Sequence, residues 1–431
     1  MRIRRLALVL TLAGTVTASC TGSTPAVSPR PSSSSTAVTG GLSVVPARSD
    51  PLCKAVPVPR PRNVGPAGSL PSVFARVAQQ VEQIRSLTYM RPVRAQAVTR
   101  AAMNQLMHDK AGSQEPRQSA ARTSKAWATI GVIPRGTDLY KAVSDFDASQ
   151  VLGFYDPETR RLVFIGTNSP GPFQRFTLSH ELTHALDDQH FDLTHLDRLQ
   201  SCRDDEQGAY ISLAEGDAVV TSVLWARQDL SAQELTQVEQ AAGSGPPPPA
   251  SVPPFLVKLM EFPYEAGPAF IETLLQQGGP GAIDDAFRHP PVSTEQVLHP
   301  ERYPSDRPVT VEVPNAASKL GRRWKEIEIE QVGEEWLQLL FGLHLSSVNA
   351  AADSDHWGGG QYRAWSDGAH TAVVMDTAWD SHQASARFAQ GMRQWLGNRS
   401  TATVLQVGPA LVRVLFASDR QTITLLRRIM G

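Results

Sequence analysis

The sequence predicts an α+β protein in two folded parts. The first, residues 68–306, is mostly helical with a small sheet; the second, residues 307–431, is a smaller α+β unit. Three observations predict this. Residues 173–191 contain no Pro or Gly, and Leu178, Leu182, Ala185 and Leu186 recur at the spacing of one helix face. Just before them, residues 151–155 and 161–165 are apolar runs joined by Asp156-Pro-Glu-Thr-Arg160, a β-hairpin signal. From about Val309 onward, short strand-like runs alternate with helical stretches.

The N-terminal 67 residues lie outside both parts. Arg2, Arg4 and Arg5 precede an apolar run over residues 6–16, and small residues follow, as in a secretory signal peptide over residues 1–19. Thr17-Ala18-Ser19-Cys20 resembles a bacterial lipobox, in which the Cys is acylated and becomes the first mature residue. A plain signal cut near Ala18 is the alternative. Residues 20–67 are rich in Ser, Thr, Pro, Gly and Ala and cannot bury enough surface to fold alone, so they read as a tether. The expected location is the extracytoplasmic face of the cell membrane, with contact through the N-terminal lipid. A net charge of −1 gives no reason to expect nucleic acid, and no internal apolar run is long enough to span a bilayer. Export exposes Cys53 and Cys202 to oxidising conditions and predicts a disulfide between them.

Within the first part, Val73, Val77, Val81 and Ile84 predict a helix over residues 70–86. Residues 91–98 read as a strand, and Thr99 as the N-cap of a helix to residue 107. Residues 111–118 read as a loop, 124–130 as helix and 133–136 as a turn. The hairpin and the Pro-free helix follow, then a helix running to about Trp225. Residues 243–249 form a Pro-rich linker. Helices are expected over residues 254–262, 267–277 and 283–287, and Ser293 or Thr294 with Glu295 marks another helix start. In the second part, strands are expected over residues 309–313, 325–329, 361–365, 371–377 and 411–416. Helices are expected over 334–345, 381–396 and 420–430. Residues 357–360, Trp-Gly-Gly-Gly, read as a turn. They do not make a nucleotide loop, since no Lys-Ser/Thr follows them.

The chemistry centres on His180-Glu-Leu-Thr-His184, of the form H-E-x-x-H. Residues four apart share a helix face, so His180 and His184 can offer two imidazole nitrogens to one metal ion. Glu181 stands beside them, where a carboxylate can take a proton from water. A catalytic zinc usually takes three protein ligands. Glu215, in Leu213-Ala-Glu-Gly-Asp217, is the favoured third, because small Ala214 and Gly216 permit close helix approach. His190 is the alternative, provided the helix stops and turns between the second and third His. His299, in Pro290-Pro-Val-Ser-Thr-Glu-Gln-Val-Leu-His-Pro300, is a candidate to stabilise an oxyanion, or else a simple cap.

His180-Glu-Leu-Thr-His-Ala-Leu186 followed by Glu215-Gly-Asp-Ala218 resembles the gluzincin metallopeptidases, the thermolysin-like clan. It is closer still to a group of uncharacterised exported bacterial lipoproteins with HELTHAL, DQHFDL, EGDA and STEQVLHPE motifs. The resemblance implies a gluzincin-like domain with zinc on His180, His184 and Glu215, Glu181 as general base, and a protein or peptide substrate laid along an edge strand at residues 151–155. The clan also places an Asp four residues after the third ligand to orient a zinc-binding His. Val219 stands there, which leaves Asp217 as the candidate to orient that His. Two other functions remain open: a zinc-containing binding or assembly protein of the envelope that cleaves nothing, and a zinc hydrolase acting on non-peptide envelope material.

Overall fold

The computed structural model describes residues 8–9, 52–53, 71–111, 114–199 and 202–431. Helix α1 (Ser72–Arg85) buries Phe74, Val77 and Val81 and ends at Ser86, whose left-handed backbone (φ 56°) lets its N–H reach the Glu82 carbonyl. A small sheet follows, in which β1 (Leu8–Val9), β3 (Gly153–Asp156), β4 (Arg161–Ile165) and β2 (Arg94–Val98) lie side by side in that order. Strands β3 (Gly153–Asp156) and β4 (Arg161–Ile165) form the expected hairpin, with Gly153 opposite Phe164. Strand β2 (Arg94–Val98) runs parallel to β4, and β1 (Leu8–Val9) lies antiparallel on the outer edge of β3.

Between β2 and β3 the chain makes three helices. Thr99 accepts the Ala102 N–H and caps α2 (Arg100–Ala111). The loop expected at residues 111–118 gives way to α3 (Gln114–Ile130), because Pro116 falls in the first turn, where a missing N–H costs no helical bond. The unexpected α4 (Leu139–Gln150) is capped by Asp138, which accepts the Lys141 N–H, and buries Leu139, Ala142 and Phe146.

Beyond the hairpin come α5 (Pro172–Phe191), the short α6 (His195–Arg198), α7 (Asp204–Asp229), α8 (Ala232–Gly243), α9 (Pro254–Gly278), α10 (Pro280–Arg288) and α11 (Thr294–Leu298). The two helices expected between residues 254 and 277 are one: Pro263 and Pro268 lie inside α9 without ending it. The second part contains α12 (Ala317–Leu320), β5 (Lys325–Gln331), α13 (Glu334–Gly342), α14 (Ser347–Ser354), β6 (Trp357–Ser366), β7 (Thr371–Trp379), α15 (His382–Leu396), β8 (Ala402–Gly408), β9 (Leu411–Ala417) and α16 (Arg420–Met430). Its strands pair antiparallel in the order β5-β6-β7-β9-β8. Two readings reverse here. Residues 357–360 are the start of β6, not a turn, and residues 309–313 form no strand, although the Val309 N–H bonds the Gly358 carbonyl at 2.7 Å.

One face of this sheet packs Val313, Leu320, Ile423 and Leu426 against Trp365, Val374 and Leu415. The other carries Tyr362, Val373, Met375 and Val414 into a core shared with Trp127 of α3, Phe146 of α4 and Phe255 of α9. The apolar core is therefore continuous across the sequence boundary expected at residue 306. The architecture is α+β, and helices from the first part cover one face of the second part's sheet. Cys53 and Cys202 are joined as a disulfide, with Cα atoms 5.0 Å apart. Cys20 lies outside the described residues.

Candidate metal centre

Helix α5 starts at Pro172 behind Gly171, whose N–H bonds the Gln174 side chain at 3.1 Å. It ends at Asp192 in a left-handed conformation (φ 58°). Its middle is enclosed: residues Thr177 to Asp188 are all buried. Leu178, Leu182, Ala185 and Leu186 pack against α1, the small sheet and Trp225 of α7. Tyr89 donates its hydroxyl to the Leu182 carbonyl at 2.8 Å, and Tyr155 of β3 donates to Asp188 at 2.8 Å. The Asp188 carboxylate also accepts the Leu193 N–H, so it fixes the chain just after the helix.

With α5 so held, His180 and His184 stand one turn apart with rings 89° to one another. Helix α7 crosses beside them and delivers Glu215. Its closest partner is α9, by contact between glycines: a Cβ on Gly216 would lie 2.4 Å from the Gly267 carbonyl carbon, and one on Gly267 would lie 2.3 Å from the Ser212 oxygen. Tyr264, on the same stretch of α9, lies over His180 with ring centroids 6.4 Å apart.

Three ligand atoms converge. His180 Nε2 lies 3.2 Å from Glu215 Oε2, His184 Nε2 lies 3.4 Å from that oxygen, and the two Nε2 atoms are 3.1 Å apart. Tetrahedral ligands held about 2.0–2.1 Å from zinc sit about 3.3–3.4 Å from one another, so this donor triangle fits the ion. The protonation states fit as well. Burial pushes the Glu215 carboxyl up, but attraction to His184 and hydrogen bonds from both imidazoles outweigh it and hold the group at about 2. Burial, partly offset by Glu215, lowers His184 to about 4. At neutral pH the set therefore offers a carboxylate and a neutral imidazole, the forms that bind metal.

Glu181 is buried beside the triangle on α5, and β3 runs against it. His190 is elsewhere. Because α5 continues through it to Phe191, its ring turns away and bonds the Thr88 carbonyl at 2.8 Å. Glu215, and not His190, stands with the two histidines.

Asp217 does not reach either histidine. Its Oδ2 lies 2.9 Å from Arg85 Nε, and its Oδ1 accepts from Thr221. Both His Nδ1 atoms are buried without a hydrogen-bond partner among the described residues. Arg85, 2% exposed, also meets Asp284 at 3.1 Å and Asp187 at 3.5 Å. One buried guanidinium thus ties α1, α5, α7 and α10 together around the centre. Three carboxylates facing one cation have an excess of negative charge, and burial with mutual repulsion pushes Asp187 upward. The sequence reading missed this network, because an Arg at the end of α1 carries no local sign of burial.

His299 is grouped with Glu334, whose Oε1 lies 3.0 Å from its Nε2, and with Asp355 at 3.8 Å, rather than with the triangle. Its own helix is capped by Ser293, and Thr294 docks on buried Asp205.

Residues 322–426 match the family model of a domain of unknown function (DUF8575). That match covers the second sheet and leaves His180, His184 and Glu215 outside it. No curated protein and no solved structure matches the chain.

Proposed function

We propose that the chain is a zinc-dependent metallopeptidase, lipid-anchored at Cys20 on the extracytoplasmic face of the cell membrane. The observation that carries this reading is the donor triangle of His180, His184 and Glu215, with edges of 3.1–3.4 Å and with buried Glu181 on the same helix as the two histidines. The gluzincin-like order of these residues agrees with it.

Zinc bound there would supply a water of pKa near 7 and polarise the scissile carbonyl. The chain supplies the rest. His180, His184 and Glu215 would hold the ion on two helices locked by packing. Glu181 accepts the water proton and delivers it to the leaving amine, the task of a general base that turns into an acid. Strand β3 supports the choice of a peptide substrate: Leu8–Val9 pairs antiparallel along its outer edge, the mode an extended peptide would use, and cleavage before Cys20 would clear that edge beside Glu181.

The experiment combines metal analysis with cleavage of a broad peptide library by the wild type and Glu181→Gln. The amide keeps the shape of the side chain but accepts no proton. The expected result is about one zinc per chain in both proteins and a loss of cleavage of about a hundredfold or more in the variant. Equal cleavage removes Glu181 from the mechanism. Zinc-loaded wild type that cleaves nothing supports the binding or assembly reading instead. Cys20→Ser is expected to release the protein from the membrane fraction, and unchanged fractionation would sink the lipid anchor.

A further inference from the structure

A second constellation, independent of the proposed zinc site, lies where α11 meets the C-terminal sheet unit. His299 follows α11, Glu334 opens α13, and Asp355 follows α14. From these residues we infer a second divalent-cation site, with His299 Nε2 and the carboxylates of Glu334 and Asp355 as protein ligands.

The geometry is the first argument. One ligand atom from each residue lies within 4.8 Å of the other two, and His299 Nε2 and Glu334 Oε1 are already 3.0 Å apart. First-row metals bound at about 2.0–2.2 Å hold neighbouring ligands about 3.0–3.4 Å apart, so only Asp355, at 3.8 Å, has to close in. One imidazole with two carboxylates suits manganese, zinc or iron better than calcium, which prefers an all-oxygen shell.

The second argument is an orphaned atom. Glu334 is 2% exposed, and its Oε2 is buried with no hydrogen-bond partner among the described residues. A plain ion pair with protonated His299 occupies Oε1 and leaves Oε2 unanswered. A buried carboxylate oxygen in that position calls for an ion or an ordered water.

The third argument is charge. Glu295, Asp306 and Asp380 converge within 4.8 Å of one another, and repulsion from Glu334 reaches Glu295. Arg302 is the guanidinium that bridges this patch, donating to Glu295 and to Asp355 Oδ1 at 2.7 Å each. The remaining cationic partners are imidazoles: His299 and, at 3.6 Å from both Asp355 and Asp380, His356. Burial and the repulsion from Glu334 push Glu295 up to about 8. At neutral pH the carboxylates of Asp306, Asp380, Glu334 and Asp355 therefore face one guanidinium and the two imidazoles, and a divalent ion would discharge the negative charge left over. Arg302 then orients the carboxylates from outside. The site would join the α11 segment to the sheet unit, so cation binding would tighten the junction of the two parts.

The test uses the full chain and manganese(II) alone as the probe, with bound ion counted by electron paramagnetic resonance and fold checked by circular dichroism. His180→Ala disables the first centre and should leave one bound manganese per chain. In that background Glu334→Gln or His299→Ala should weaken the remaining binding at least tenfold and abolish the rise in melting temperature caused by the ion. Asp355→Asn, at a partly exposed position, serves the same purpose should the buried variant fail to fold. Undiminished binding in folded Glu334→Gln, His299→Ala or Asp355→Asn overturns the inference, as does a folded His180→Ala chain that binds no manganese.

Discussion

Gly153 on β3 lies against Glu181 on α5: a Cβ at position 153 would sit 3.1 Å from both the Cγ and the Oε1 of that glutamate. The strand comes this close only because it carries no side chain there. A valine would push the Glu181 carboxylate off its line, and small displacements of a catalytic group cost up to about a hundredfold in rate. Gly153→Val is therefore expected to keep its zinc and lose about tenfold to a hundredfold in kcat/KM. Wild-type cleavage rates in this variant would mean that β3 does not constrain the base.

The ligand set has an equally direct check. Glu215→Ala removes one corner of the donor triangle, whereas His190→Ala removes a hydrogen bond to Thr88. Zinc affinity measured by chelator competition should collapse in the first and stay near wild type in the second. The reverse order would make His190 the third ligand.

Arg85 neutralises three aspartates from inside the protein. Taking one partner out of a buried ionic network usually costs about 3–5 kcal/mol. Arg85→Met should destabilise the chain by about that amount in urea unfolding at pH 8. The deficit should shrink at pH 5, because Asp187 and Asp217, both pushed upward by burial, take up protons and stop repelling one another. A deficit that grows on acidification would show that charge is not what Arg85 supplies.

Stability should also fall with rising pH in the wild type. Burial raises Asp205 to about 7 and Asp188 to about 6, in each case opposed by the hydrogen bonds they accept. An unfolded Asp titrates near 3.9. Between about 4 and 7 the folded chain therefore binds more protons than the unfolded one, and the slope of unfolding free energy with pH is negative. This contribution is complete below about pH 4 and is lost as pH passes through 6 to 7. Melting temperatures at pH 5 should exceed those at pH 8. Asp205→Asn, which keeps an acceptor for the Thr294 N–H, should flatten the difference; an unchanged slope assigns it to other groups.

Helix α5 was legible because its signals are local: the apolar stripe from Leu178 to Leu186, His180 and His184 four residues apart, and no breaker between Phe173 and Phe191. The hairpin was legible from its turn. Elements that depend on distant contacts were not. Strand β8 is a half-exposed edge whose apolar residues do not alternate cleanly. Pro263 and Pro268 look like helix ends in isolation, yet α9 runs through them, packed on Gly216 of α7. Helix α4 did have a readable start in Asp138 and a readable face in Leu139, Ala142 and Phe146, and these signals were missed.

The sequence by itself determined that two imidazoles and a carboxylate share one short helix, because helical periodicity is a property of neighbouring residues. It also narrowed the third ligand to Glu215 or His190 and paired Cys53 with Cys202. Only the tertiary structure decided the rest. It placed Glu215 beside the two histidines, since α5 continues past His190 and turns that ring toward Thr88. It drew Asp217 to Arg85 and away from the histidines, and it set His299 against Glu334 across the junction of the two parts. These outcomes depend on which polar side chain finds which partner over separations of 35 residues or more. Low-dielectric packing settles such pairings, and no pattern of adjacent residues encodes them.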